Sequence, residues 1–156
     1  ATKADHLHHA SHDRLEAILR RMVERAAARA EFAGAAVDVV AMAAVRATRE
    51  ATVQRGRDRL PSILGTPEAG ESAGGEVFDG AIEAATFPGD LPDQLDELFA
   101  GGDAFRGLTA AASAHADFRS RAFRPPQLAR EDGAERALPH IRLDRALQFL
   151  IGDRLQ

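Results

Sequence analysis

No cysteine, tryptophan or tyrosine occurs in these 156 residues, and lysine occurs once, against 19 arginines. The lack of cysteine excludes disulfide scaffolds, thiolate metal centres, iron–sulfur clusters and cysteine nucleophiles together. No apolar run approaches the roughly 20 residues of a membrane-spanning helix, and the first ten residues do not resemble a secretory signal. A cytoplasmic location, or a particle assembled in the cytoplasm, is the resulting expectation. The scarcity of lysine reads as the codon bias of a high-GC genome, and it removes the lysine-rich surface usual in nucleic-acid binders. The phosphate-loop motif, the dinucleotide fingerprint and the G-x-S-x-G elbow are all missing. Gly74-Gly75 and Gly101-Gly102 are isolated pairs, without the flanking strand that a phosphate cradle needs.

What the chain has is alanine, 33 residues of it, almost half of the hydrophobic total. The buried side chains are therefore small, and the core is either close-packed or shared with a partner. The length suits one domain over 1–156. Its formal charge of −4 conceals a division: residues 1–60 carry +3, residues 61–117 carry −10 and residues 118–156 carry +3. An acidic belt lies between two arginine-rich ends, a layout that lets the ends meet the belt in the same or a neighbouring copy.

From Ser11 to Leu60 there is no proline, and glycine occurs only at 34 and 56. Ser11 suits an N-cap, with Asp13 and Glu16 complementing the helix dipole. A heptad seam runs through Val23, Ala26, Ala30, Ala33, Val37, Val40, Ala44 and Ala47 without a charge. The pattern keeps its phase through Gly34, so it predicts one helix over 11–60, about 75 Å long, with a hairpin near Phe32 as the alternative. The seam is the candidate interface, because alanines let two helices approach closely. Residues 65–75 read as a flexible glycine-rich loop. The segment 76–156 reads as short helices over Glu76–Phe87, Asp93–Ala100 and Asp103 to about Phe118, with an amphipathic helix from near Pro139. The fold class expected is all-α, a helical bundle.

Three groups of residues carry candidate chemistry. His6, His8, His9 and His12 crowd the N-terminus, and on a helix His8 and His12 share a face with Glu16. Paired imidazoles one turn apart suit zinc or nickel, so His8 and His12 are the candidate metal ligands. The run resembles the first ligand helix of hemerythrin-like or ferritin-like proteins in spacing alone. Such proteins need further ligands on other helices, and only His115 and His140 remain here. Ser113, His115 and Asp117 do not form a triad, since residues two apart on a helix point in different directions. Arginine interleaves with phenylalanine around Arg119, Arg121 and Arg124, and Arg46, Arg49, Arg55, Arg57 and Arg59 follow the seam. These side chains suit phosphate or an acidic protein partner.

Taken together, these features favour a non-enzymatic structural or accessory subunit that packs against itself or partner proteins. A small helical metal-binding protein and a nucleic-acid-binding regulator are the alternatives. An enzyme ranks last, because carboxylates such as Asp93, Asp96 and Glu97 lack apolar neighbours to desolvate them.

Overall fold

The computed structural model describes residues 1–73, 75–91, 94, 95, 99, 121–126 and 138–154. It is a mixed helix-and-sheet structure, which overturns the all-α bundle. Helix α1 covers His12–Phe32 only. Its end is a Schellman closure: Gly34 donates to the carbonyl of Glu31 and Ala35 to that of Ala30, both at 2.9 Å. Gly34 sits at φ +88°, the left-handed conformation that this motif demands and glycine adopts freely. Serine at 11 occupies the N-cap position, but its side chain makes no capping bond.

Beyond Gly34 the chain is extended, so Val37, Val40, Ala44 and Ala47 lie on no helix. On α1 itself the seam positions Val23 and Ala26 are exposed, and only His12 and Ile18 are buried. The extended segment threads between the two ends of the chain. On one side Met42 N–H donates to Ala1 and Ala4 N–H to Met42, both at 2.9 Å. On the other side Ala43 and Ile141 exchange hydrogen bonds at 3.0 and 2.9 Å, and Arg46 N–H donates to Pro139 at 2.7 Å. Ala41 and Ala43, at 0% and 2% exposure, are buried in the middle of this sandwich.

The expected helix then gives way to a hairpin. Strand β1 (Arg49–Arg55) pairs antiparallel with β2 (Asp58–Gly65) across Gly56-Arg57. Gly56 takes φ +66° and Arg57 does not turn positive, the pattern of a type II′ connection. Strand β5 (Ala84–Thr86) adds to β2, giving the order β1-β2-β5. Its pairing reaches only Ile63, so Pro61 lies where β2 has one neighbour and the missing N–H is tolerated. Between them β3 (Ser72–Ala73) and β4 (Glu76–Val77) make a small second ladder. Strands therefore occupy part of the stretch expected to be helical over 76–87. The 65–75 loop is partly tied down, since Thr66 and Glu68 pair with Arg124 and Ala122.

Helix α2 (Leu143–Ile151) begins four residues after Pro139, because Pro139–Ile141 serve the extended sandwich instead. The helices expected over 93–100 and 103–118 fall largely or wholly outside the described residues. Among the described residues, no helix is long and apolar enough to cross a membrane.

Candidate functional site

The N-terminal segment and the chain entering β1 meet at a polar corner. Lys3 adopts φ +59°, unusual for a residue with a Cβ, and starts a 3-10 turn over Ala4–His6. That turn buries Asp5 to 3% exposure. A carboxylate taken from water needs donors, and Asp5 Oδ2 accepts the Ala47 N–H at 2.8 Å. The Asp5 carbonyl accepts the hydroxyl of buried Thr48. Beneath it His12 Nε2 donates to the Ala4 carbonyl at 2.9 Å, which fixes the tautomer and locks the turn onto α1. Among the described residues, Asp5 Oδ1 has no hydrogen-bond donor, so the buried carboxylate is held through one oxygen only.

Behind the corner, Gly65 allows an unusually close approach. A Cβ there would stand 2.8 Å from Phe123 Cδ1 and 3.1 Å from Thr48 Cγ2. Phe123 in turn meets the His6 ring edge-on at a centroid distance of 5.3 Å. The Nδ1 atom of His6 is buried without a partner among the described residues. Burial pushes the His6 imidazole below its ordinary value; Asp5 pulls the other way and Lys3 adds to the depression.

Ala47 and Thr48 also line an open cleft of about 850 Å³. Three arginines from two segments line it: Arg46 and Arg49 from the chain entering β1, and Arg124. Arg49 pairs with Glu83 at 2.8 Å, an exposed pair that raises the guanidinium and lowers the carboxyl from their ordinary values. Such a pair adds little to stability. Arg124 donates to the Gly80 carbonyl at 2.6 Å, and Arg46 donates through Nε to Thr48 O at 3.0 Å. The structure thus joins Arg124 with Arg46 and Arg49 and separates it from Arg121. Arg121 instead donates to Thr86 Oγ1 at 2.8 Å and lies over the Phe78 ring at 5.5 Å. Arg119 lies outside the described residues.

The histidines also regroup. His8 caps a second 3-10 turn, and buried His12 points to Ala4 rather than toward it. The neighbours of His8 are His9, whose ring centroid is 4.3 Å away, and Glu50 of β1. His9 Nδ1 lies 2.8 Å from Glu50 Oε2. Desolvation works against the Glu50 carboxylate, but the His9 hydrogen bond and the charges of His9, His8 and Arg46 hold it below the ordinary range. The helix-face partner expected for His12, Glu16, accepts instead from Ala41 N–H at 2.9 Å and Arg142 Nη1 at 2.5 Å.

Reading the sequence as a helix missed Asp5 and Thr48, because each lay inside a stronger-looking pattern: the histidine run and the seam. The signal that was there is a base and an acid flanking Ala4 ahead of a helix start, followed by Ala47-Thr48 a few residues before the β-branched pair Thr52-Val53.

Comparison with known proteins corrects the functional reading. The chain is 31% identical over its whole length to the "Ras-like GTPase YcjX" of Escherichia coli strain K12, and spans 28% of that protein. It is 28% identical over its whole length to the protein of the same name from Shewanella oneidensis, and spans 27% of it. Relatives named as GTPases overturn the non-enzymatic structural or accessory subunit, and nothing favours the metal-binding or nucleic-acid-binding alternatives as the protein's main role. A family model described as "YcjX-like family, DUF463" matches residues 1–155. The chain belongs to the YcjX-like family.

Proposed function

We propose that this chain supplies the base-recognising corner of a GTP-hydrolysing protein, with Asp5 as the residue that selects guanine. The observation that carries the reading is the buried, half-satisfied Asp5 carboxylate, oriented by Ala47 N–H and anchored through Thr48. Guanine presents two adjacent donors, N1–H and the 2-amino group, and a carboxylate is the side chain that accepts both. Adenine offers an unprotonated N1 and no amino group at C2, so the same carboxylate meets an acceptor and is left unpaired. Exposed Lys3, two residues away, adds positive charge beside an anionic nucleotide.

The names of the relatives support the GTPase half of the reading. The corner supports the guanine half. Because the chain spans only 28% of the Escherichia coli relative and contains no phosphate-loop motif, the phosphate chemistry is not assigned to these residues. Discrimination is what they account for, and a site that loses a polar pairing rejects the wrong ligand strongly.

An equilibrium titration of the intact protein with a fluorescent guanine nucleotide, competed by GDP and by ADP, tests this. GDP is expected to compete at least about 100-fold better than ADP. Equal competition, or no binding of guanine nucleotide, contradicts it.

A further inference from the structure

The cluster at the start of α1 carries a second inference, independent of the nucleotide reading. We infer that His8, His9 and Glu50 form a binding site for a divalent transition metal of the zinc class. One ligand atom from each lies within 4.8 Å of the others, close enough for small side-chain rotations to bring all three around one ion. Two imidazoles and one carboxylate are a donor set that zinc accepts, leaving a position for water. Magnesium, which takes oxygen ligands in octahedral geometry, is poorly matched.

The backbone places the three residues independently of any metal. His8 is the N-cap of the 3-10 turn His9–Ser11, so the two imidazoles are neighbours with ring centroids 4.3 Å apart. Glu50 is fixed opposite Ile63 in the β1–β2 ladder, two positions after the Thr48 that binds the Asp5 carbonyl. The bonds an ion would displace are exposed ones: Ala10 N–H to His8 Nδ1 at 3.3 Å and His9 Nδ1 to Glu50 Oε2 at 2.8 Å. Water takes over such groups at small cost. Arg46, 3.7 Å from the other Glu50 oxygen, is the opposing charge and sets an upper limit on the affinity. A bound ion would staple the segment before α1 to an edge strand 41 positions later, next to the Asp5 corner.

Calorimetric titration of the intact protein with Zn²⁺, and separately with Mg²⁺, tests the site. One Zn²⁺ per chain is expected, with affinity lost about tenfold or more in each of His9→Ala and Glu50→Gln, and undiminished in the control His140→Ala. His9 and Glu50 are exposed, so these variants keep the fold, and circular dichroism verifies it. No zinc binding, equal binding of Mg²⁺, or zinc binding unchanged in His9→Ala or Glu50→Gln overturns the inference.

Discussion

Removing the Glu16 side chain should reveal how α1, the extended segment and α2 are held together. Its carboxylate is 14% exposed, and Oε1 alone accepts from two places: Ala41 N–H at 2.9 Å and Arg142 Nη1 at 2.5 Å. Ala41 is fully buried, so in Glu16→Ala its N–H loses an acceptor that water does not replace, a cost of about 1–3 kcal/mol. Arg142 loses less. Its side chain is 33% exposed and has Asp13 at 3.8 Å as an alternative, so solvent and that carboxylate recover most of the charge interaction. The sum for Glu16→Ala is about 2–3 kcal/mol. Glu16→Gln keeps a neutral acceptor for Ala41 and should cost about 1 kcal/mol. Urea denaturation measures both, with an unchanged m-value showing that the comparison is between like states. Amide exchange at Ala41 should accelerate in the alanine variant and much less in the glutamine variant. Equal stabilities for the two variants, or Glu16→Ala within about 0.5 kcal/mol of the parent, would refute the argument that Ala41 dominates.

Two further outcomes follow from the packing behind the corner. Gly65→Ala places a methyl group 2.8 Å from Phe123 and 3.1 Å from Thr48, an overpacking that should cost about 1–3 kcal/mol in thermal or urea unfolding; a neutral result would mean that Phe123 is free to shift. His6, whose imidazole lies below its ordinary value through burial, favours the neutral form in the folded state. Its contribution is complete above the unfolded value of about 6.5 and is lost as pH falls through the lower folded value. Melting temperature should therefore fall more steeply below about pH 6.5 in the parent than in His6→Leu, and parallel curves would remove His6 from the account.

The parts of the fold legible in the sequence were those where residue type acts locally. The first half of α1 rests on good helix formers and an acidic first turn, and the C-terminal helix on the spacing of Leu143, Ala146, Leu147 and Leu150. What misled was alanine, which fits a helix seam and an extended, close-packed strand equally well. Ala41 and Ala43 are buried not because a helix partner covers them but because residues 1–4 and 139–141 flank their segment, a long-range fact with no local signature. Gly34 is the local signal that the helix ends, and the heptad phase that continues past it is carried by extended chain. Val37, Val39 and Val40 just beyond it already favoured extended backbone. In the site, the arginines at 46, 49 and 124 were visible as charge, yet their convergence on one cleft depends on 122–124 pairing with 66–68. Asp5 was hidden because its importance lies in burial and in a bond to Ala47, 42 positions away.

The most direct test of the central claim is the nucleobase preference of Asp5→Asn. The carboxamide can keep its oxygen on the Ala47 N–H and turn its NH₂ toward the ligand, replacing an acceptor by a donor. Guanine, with an amino group at C2, then meets donor against donor, whereas xanthine, with a carbonyl there, finds a match. With guanosine and xanthosine diphosphates titrated against parent and variant, the account predicts that the variant loses about 30-fold or more in guanine affinity, the equivalent of about 2 kcal/mol, and gains affinity for the xanthine nucleotide. A variant that unfolds is identified by its melting curve and replaced by Asp5→Glu, which should weaken guanine without admitting xanthine. A folded Asp5→Asn protein that still prefers guanine as the parent does would contradict the claim.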